Sequence, residues 1–138
     1  MTPDGIARID QTTGFGDRVA LEIAATVEIA RAVRTRYPLS VAAILLADAD
    51  DVTPRDQSIS LAMRASVRAT DQLFRYSEAT LVGLFPMTKG MGAAYVMKRA
   101  ARLTDRPFAY ALAVAPTDGT DIDTLVDQAY QSVIHFSL

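Results

Sequence analysis

Residues 68–81 carry the sequence Arg-Ala-Thr-Asp-Gln-Leu-Phe-Arg-Tyr-Ser-Glu-Ala-Thr-Leu. Two short apolar segments, 73–76 and 80–85, stand on either side of a few polar and small residues, a pattern typical of two strands joined by a tight turn. Just before the first strand, Arg68 and Asp71 form an Arg-x-x-Asp pair at the predicted end of a helix. This stretch therefore predicts a β-hairpin that follows directly on a helix.

The residues upstream of the hairpin predict a helix, a buried strand and a second helix. The first helix starts at Asp17 as N-cap and has one apolar face, formed by Val19, Ile23, Val27, Ala30 and Val33. Residues 40–47 are a continuous apolar run, which indicates a strand buried on both faces. The second helix starts near Thr53 and Pro54, and its apolar stripe of Ile59, Met63 and Val67 runs on to Asp71.

The residues downstream of the hairpin predict a helix over 90–103, a strand over 108–115 and a closing helix lined by Leu125, Ala129 and Val133. Without the first and last helices, the order is strand, helix, strand, strand, helix, strand. Two such halves form a four-stranded antiparallel sheet with helices on one face, the ferredoxin-like plan. The predicted fold is α+β, a βαββαβ core with extra N- and C-terminal helices.

Length and composition are those of one globular domain covering residues 1–138, with half of the residues apolar. A net charge of -2 argues against nucleic-acid binding and against direct binding to an anionic membrane, since both need a basic face. The chain has no cysteine, so disulfides and thiolate metal sites are excluded. No signal peptide or membrane-spanning run is visible, and we expect a cytoplasmic location.

Five motifs occur in a familiar order along the chain. They are the Asp-Gln-Thr-Thr-Gly-Phe of residues 10–15, the Asp-Arg of 17–18, the Leu-Leu-Ala-Asp-Ala-Asp of 45–50, the Arg-Tyr of 75–76, and the strand and turn of 113–121. This ordered set resembles the GGDEF (diguanylate cyclase) family nearly end to end. The resemblance implies a nucleotide-cyclase-like fold. It also implies a role in bacterial second-messenger signalling by cyclic di-GMP.

The catalytic signature of that family is degenerate in this chain. The family's hairpin carries two glycines followed by acids, whereas the corresponding residues here are Ser77, Glu78, Ala79, Thr80 and Leu81. Joining two GTP molecules needs metal ions to offset the phosphate charge, and carboxylates must hold those ions. Ala79 and Thr80 cannot supply an anion. The resemblance therefore implies a domain that is not an enzyme.

Two further observations weaken a catalytic interpretation. Asp48 and Arg75 lie only 75 − 48 = 27 positions apart, about a dozen fewer than the family pattern, so its guanine-reading segment has no counterpart. A one-residue slip that substitutes Glu78 for a missing acid would turn the strand's side chains to the other face. Asp48 is the weak candidate for a metal ligand. Asp48, Asp50 and Asp51 are otherwise interpreted as solvated charges that end a buried strand, and we predict no metal site and no cofactor.

Binding of cyclic di-GMP is the function that the resemblance still implies. In the family an Arg-x-x-Asp pair before the hairpin forms an inhibitory site, and Arg68 and Asp71 hold its spacing, with Arg99 where a further arginine is expected. A guanidinium can form a fork with the O6/N7 edge of guanine, and a carboxylate can accept from N1–H and N2–H. Alternatively, Arg68 and Asp71 are a surface ion pair or a relic. Arg64 is interpreted as a solvated helix charge, with an enlarged basic edge of this site as the alternative.

We therefore predict an inactive receptor module that regulates exopolysaccharide or biofilm output through other domains or a protein partner. A ligand-free interaction module, including a homodimer, is the rival hypothesis, and a phosphoryl-transfer enzyme using Asp48 is a third. Because the chain opens almost at the first family motif, we expect it to be excised from a longer protein.

Overall fold

The computed structural model describes the backbone of residues 8–137 and the side chains of residues 8–132. Four strands and four helices follow one another as α1 (Arg18–Thr35), β1 (Leu39–Leu46), α2 (Val52–Ser66), β2 (Gln72–Ser77), β3 (Thr80–Pro86), α3 (Gly90–Leu103), β4 (Phe108–Ala115) and α4 (Ile122–Ser137). The α+β prediction and its element order are confirmed.

The four strands form one antiparallel sheet in the order β2-β3-β1-β4. The predicted hairpin is present: Ser77 pairs with Thr80 across a two-residue turn of Glu78 and Ala79. The turn is tied to the neighbouring strand, because the carbonyl oxygen of Ala79 accepts from the backbone N–H of Leu46 at 2.8 Å. The hairpin tip and the end of β1 therefore lie at the same edge of the fold.

Helices cover both faces of the sheet: α2 and α3 lie on one face, as predicted for the βαββαβ core, and the extra helices α1 and α4 cover the other. Successive residues of β1 point to opposite sides, so Val41 and Ala43 pack with α1 and α4 whereas Ala42 and Ile44 pack with α2 and α3. The continuous apolar run of β1 is the consequence, since both of its faces are buried. Leu125 and Ala129 of α4 are buried as predicted, and Val133 lies outside the described side chains.

The first helix begins at the predicted residue, but it buries a different face from the predicted one. The Asp17 carboxylate accepts from the backbone N–H of Ala20 at 2.9 Å, which confirms the N-cap. The predicted apolar face is the exposed one, however, with Val19, Ile23 and Val27 each about half exposed. The helix instead buries a second apolar stripe against the sheet, formed by Leu21, Ala25, Ile29 and Ala32.

The second helix is shorter than predicted. It starts at Val52, one residue before Thr53, and ends at Ser66, five residues before Asp71. Val67 has an extended backbone (φ -87°, ψ 160°), so the chain leaves the helix there and turns through residues 68–71 into β2.

The two edges of the sheet differ. The segment before α1 covers β2: the backbone N–H of Gly16 donates to the Leu73 carbonyl at 3.1 Å and its carbonyl accepts from Arg75 at 2.8 Å. A side chain at Gly16 would strike the Phe74 ring, with the added Cβ only 2.6 Å from a ring carbon. The opposite edge, β4, pairs with β1 alone among the described strands.

Within the described residues, no helix is both long and apolar enough to cross a bilayer.

Candidate functional site

The Arg68 to Asp71 segment is a closed turn. The backbone N–H of Asp71 donates to the Arg68 carbonyl at 3.0 Å, and Oδ2 of Asp71 accepts from the backbone N–H of Arg68 at 2.9 Å. The sequence predicted that Asp71 lies in the last turn of the helix. This prediction was wrong, because Asp71 lies after the helix end. Its carboxylate holds the turn in shape and fixes the position of Arg68.

The Asp71 side chain is fully buried, yet its hydrogen bonding is incomplete. The other carboxylate oxygen, Oδ1, has no hydrogen-bond partner within the described residues. The nearest cation is the Arg68 guanidinium, whose Nε lies 3.8 Å from Oδ2, and Arg68 itself donates to the hydroxyl of Thr88. A buried carboxylate oxygen without a donor is costly, so the turn leaves one hydrogen-bond acceptor of Asp71 unused.

A cavity of about 410 Å³ lies beside this carboxylate. The segment 14–16 forms one wall and the turn after α2 forms the other, with Arg64, Arg68 and Asp71 among the lining residues. The cavity is a shallow depression that is widely open to solvent. Two arginines, Arg64 and Arg68, thus line the cavity together with Asp71, whose carboxylate is itself covered from solvent.

Arg64 belongs to this cavity and is not simply a solvated helix charge. Its Nη2 donates to the Thr13 carbonyl at 2.8 Å, and its guanidinium lies over the Phe15 ring, 4.9 Å from the centroid. These contacts hold the group in place while leaving most of its N–H donors free. Arg64 lies in the last turn of α2 and Arg68 follows the end of the helix, so the fold and not a shared helix face brings both to one cavity.

Arg99 lies close by but outside the cavity lining. It extends from α3 to the C-terminal end of α2, where it donates to the Ser66 carbonyl, and its guanidinium lies 5.6 Å from the Tyr95 ring centroid. Of the three predicted ligand-binding residues, the structure thus brings Arg68 and Asp71 into one cavity and places Arg99 beside the same helix end.

The strand end and the hairpin tip form a second cavity, of about 450 Å³, on another part of the molecule. Its lining includes Asp48, Asp50, Arg55 and Glu78. Within the described part of the chain, no three acidic or histidine side chains are placed to share a metal ion. Asp51 points elsewhere and forms a two-pronged ion pair with Arg106, at 2.9 and 2.5 Å.

A buried ionic cluster that the sequence analysis missed lies between these two cavities. Asp56 is 1% exposed; its Oδ1 accepts from Nε and Nη2 of Arg55 at 3.0 and 2.8 Å, and its Oδ2 accepts from Arg75 at 2.5 Å. Arg75 also donates to Asp10 at 3.3 Å and to the Glu78 carbonyl at 3.1 Å. The cluster therefore joins α2, the hairpin and the segment before α1.

Two groups of the cluster, Asp10 and Arg75, have pKa values shifted in favour of their charged forms. Burial acts to raise the pKa of Asp10, but hydrogen bonds from Thr13 and Arg75 outweigh it and leave that pKa lowered. Burial likewise acts to lower the pKa of Arg75, and the bonds to Asp56 and Asp10 reverse the shift.

Comparison with solved structures identifies the fold. The GGDEF domain of FimX from Pseudomonas aeruginosa superposes with a TM-score of 0.78 over 90% of both chains, at 14% sequence identity. The GGDEF domain of DgcB from Caulobacter crescentus, solved in complex with c-di-GMP, has a TM-score of 0.71 over 94% of this chain and 86% of its own at 11% identity. This chain has the GGDEF-domain fold. The diguanylate cyclase SiaD of P. aeruginosa, solved with its activator SiaC, has a TM-score of 0.74 at 18% identity over 92% of this chain and 56% of its own. No protein-family model and no curated protein matches the sequence.

The hairpin of this GGDEF fold has the structure expected from its sequence. Thr80 and Leu81 are buried in β3, and the Thr80 hydroxyl bonds the Tyr130 hydroxyl of α4. Ala79 forms half of the turn and offers its backbone carbonyl to Leu46 rather than a carboxylate to the cavity. Ser77 is exposed at the end of β2, and Glu78 is the acid that remains at the tip. This acid lies with Asp48 and Asp50 on the lining of one open cavity.

The ion pair at Asp51 gives a prediction on pH. The hydrogen bond from Arg106 lowers the pKa of Asp51 to about 2, below the ordinary 3.8. Its contribution to stability is therefore present above pH 3.8 and is lost as the pH falls toward 2. We expect Arg106→Ala to return the pKa of Asp51 toward 3.8 in a titration followed by carboxyl-carbon NMR. An unchanged pKa would contradict the pairing, and Asp48 in the same spectra serves as the internal control.

Proposed function

We propose that this domain binds cyclic di-GMP at the cavity beside Asp71 and does not synthesise it. The observation that carries the proposal is the buried Asp71 carboxylate, which has one oxygen without a donor among the described residues and belongs to a residue that lines a cavity together with Arg64 and Arg68. An acceptor next to two guanidinium groups suits a ligand with both N–H donors and anionic phosphates. The structure of DgcB with c-di-GMP indicates that this fold can hold that ligand.

The chemistry of a guanine base matches these groups. Oδ1 of Asp71 would accept from N1–H or N2–H, and the Arg68 guanidinium would form a fork with O6 and N7 or with a phosphate. The volume of about 410 Å³ takes one base, with the rest of the ligand outside on the exposed Arg68 side chain. Arg99 would join from α3 by exchanging its bond to the Ser66 carbonyl for one to the ligand. A stacked pair of ligand molecules would then link two protein surfaces.

Lack of synthesis is proposed on the hairpin chemistry. Two-metal phosphoryl transfer needs convergent carboxylates, and Ala79 and Thr80 occupy the positions where the signature requires acids. Asp48 and Asp50 are solvent-exposed at the strand end, and the described acids form no metal-binding group. A chain that binds the messenger without making it acts as a receptor that passes the signal to another domain or protein.

Calorimetric titration with cyclic di-GMP tests the proposal. We expect micromolar binding, weakened about 100-fold by Arg68→Ala, because a bidentate charged contact contributes about 3 kcal/mol. Arg102→Ala, which removes an exposed arginine from the last turn of α3, is the matched control and should bind normally. No heat up to millimolar ligand would overturn the proposal, and sustained product formation from GTP and Mg²⁺ would overturn the inactive state.

The same titration ranks the two remaining arginines. Arg64 already faces the cavity, whereas Arg99 must first give up the Ser66 carbonyl. Arg64→Ala should therefore weaken binding more than Arg99→Ala, with the melting temperature of each variant showing that the segment 14–16 is still in place. The reverse order would place the ligand on the α3 side of the turn.

A protein-interaction module is the second candidate function. The outward face of α1 favours it, since Val19, Ile23, Val27 and Val33 are each about half exposed. The complex of SiaD with SiaC indicates that a protein carrying this fold can bind a separate partner protein. In both functions the output, such as exopolysaccharide or biofilm control, belongs to the partner.

A further inference from the structure

The outer face of α1 carries a row of exposed aliphatic side chains, interrupted at its midpoint by Thr26. Val19, Ile23, Val27 and Val33 are 47%, 53%, 53% and 52% exposed, and the exposed Ala30 lies between the last two. At about 100° per residue these side chains fall within an arc of roughly 120°. The stripe runs along about 20 Å of the helix.

Such a face is unusual on a helix that is already packed. The opposite side of α1 buries Leu21, Ala25 and Ile29 against the sheet, so the helix is apolar on two sides. A solvated outer face normally carries charged residues. Valine and isoleucine are weaker helix formers than lysine, arginine or glutamate, so helix propensity does not explain their presence at exposed positions. These exposed aliphatic side chains offer a small contact surface to another molecule.

The charges around the stripe are arranged by sign. Carboxylates predominate at its N-terminal end, where Arg18 is accompanied by Asp17, Glu22, Asp121 and Asp123. Guanidinium groups predominate at its C-terminal end, with Arg31, Arg34 and Arg36 against the single Glu28. Within the described side chains, Arg34 forms no salt bridge. The face is thus apolar in the middle, acidic at one end and basic at the other.

We infer that the α1 face binds the α1 face of a second copy of this chain, with the two helices antiparallel. A two-fold axis through the midpoint of the stripe exchanges its ends, so the acidic end of each copy meets the basic end of the other. The helix dipoles are opposed in the same arrangement, which is favourable, whereas a parallel pair would bring arginines against arginines. The inference extends the second candidate function and does not depend on nucleotide binding.

The dimensions of the face predict a weak dimer. The midpoint between Val19 and Val33 is Thr26, which places the two-fold axis there. A groove of about 560 Å³ runs along the α4 side of the stripe, lined in part by Ile29, Val33 and Ile122, and it would receive side chains of the partner helix. One helix face of about 20 by 12 Å is small beside the roughly 800 Å² per partner of a stable interface. Dimerisation should therefore appear only at high micromolar concentration.

Because the chain contains no cysteine, single cysteines can map the pairing in the full chain. With a short bis-maleimide and no ligand, Thr26→Cys should crosslink to itself, since helix axes in contact lie about 8–10 Å apart. Val19→Cys alone and Val33→Cys alone should not, because each pair would be about 21 Å apart along the helices. A mixture of these two variants should give the crosslinked dimer.

Sedimentation velocity of the cysteine-free chain provides the independent measurement. The mean mass should rise toward that of two chains between about 10 µM and 1 mM, and Ile23→Glu with Val27→Glu should abolish the rise. Leu61→Glu, which changes an exposed apolar residue of α2, should leave it intact. A monomer at every concentration, or efficient crosslinking of Val19→Cys to itself, would overturn the inference. Neither result would bear on binding of cyclic di-GMP, which is measured by calorimetry.

Discussion

Replacing Asp56 by alanine is expected to lower the free energy of unfolding by about 3–5 kcal/mol, the usual cost of removing one partner from a buried ion pair. Asp56 is 1% exposed and accepts hydrogen bonds from two guanidinium groups. The substitution leaves Arg55, which is 4% exposed, as an uncompensated buried charge and frees Arg75 from its shortest contact. Since a domain of this size is stable by only about 5–15 kcal/mol, the loss is large.

Urea denaturation followed by circular dichroism measures this effect. Asp51→Ala is the matched control, because Asp51 also pairs with an arginine but is exposed, and its substitution should shift the midpoint far less. The double variant Asp56→Leu with Arg55→Met should recover much of the loss, since apolar residues of similar size can replace a buried pair. An Asp56→Ala midpoint close to that of the unmodified protein would show that water reaches the cluster.

Replacing Asp71 by asparagine is expected to weaken cyclic di-GMP binding by about 100-fold or more without unfolding the protein. Asparagine keeps an oxygen that can accept from the backbone N–H of Arg68, so the turn remains closed. Its NH₂ group, however, replaces the unpartnered Oδ1 and would face the N–H donors of the guanine edge. Loss of one charged hydrogen bond, which contributes about 1.5–3 kcal/mol, and the cost of about 1–3 kcal/mol of facing two donors without an acceptor together give about this factor.

The free protein and the complex respond differently to this substitution, which separates binding from folding. Without ligand, Asp71→Asn should be about as stable as the unmodified chain, because a buried charged carboxylate is replaced by a neutral amide that still closes the turn. With ligand, the stabilisation seen for the unmodified chain should disappear from the melting curve. Unchanged affinity would show that Asp71 only closes the turn, as in the ion-pair interpretation of the sequence.

The elements with a single consistent pattern were predicted well from the sequence. The bounds of α3 and β4 agree with the predicted residues 90–103 and 108–115. The hairpin was also placed correctly, since two apolar segments joined by a short polar turn allow few other structures. The sequence did not show that α1 and α4 cover the second face of the sheet.

The face of α1 was predicted wrongly because this helix has two apolar stripes. Periodicity alone favoured the stripe of larger, β-branched residues. The sheet instead packs against Leu21, Ala25, Ile29 and Ala32, where the two alanines let the helix axis approach closely. Exposure of the other stripe is thus a property of the folded molecule that a helical wheel cannot assign.

The candidate site could be predicted only in part, because its geometry depends on contacts between distant residues. The Arg-x-x-Asp spacing located Arg68 and Asp71, but not the turn that buries the carboxylate. Arg64 enters the cavity through a bond to Thr13, 51 residues away in the chain. Asp56 resembles any helix aspartate in the sequence, and only the fold brings it to Arg75.

The unpaired edge of β4 affects how readily each variant described above aggregates. Its eight residues, Phe-Ala-Tyr-Ala-Leu-Ala-Val-Ala, contain no charge and no proline, and the Asp118 carboxylate occupies the backbone N–H of Val114 alone. Charged or proline gatekeepers normally keep such an edge from recruiting strands of other molecules into fibres. When Asp56→Ala loosens the domain, this strand is where aggregation is expected to begin, so its refolding should be efficient in dilute solution and fail as the protein concentration rises.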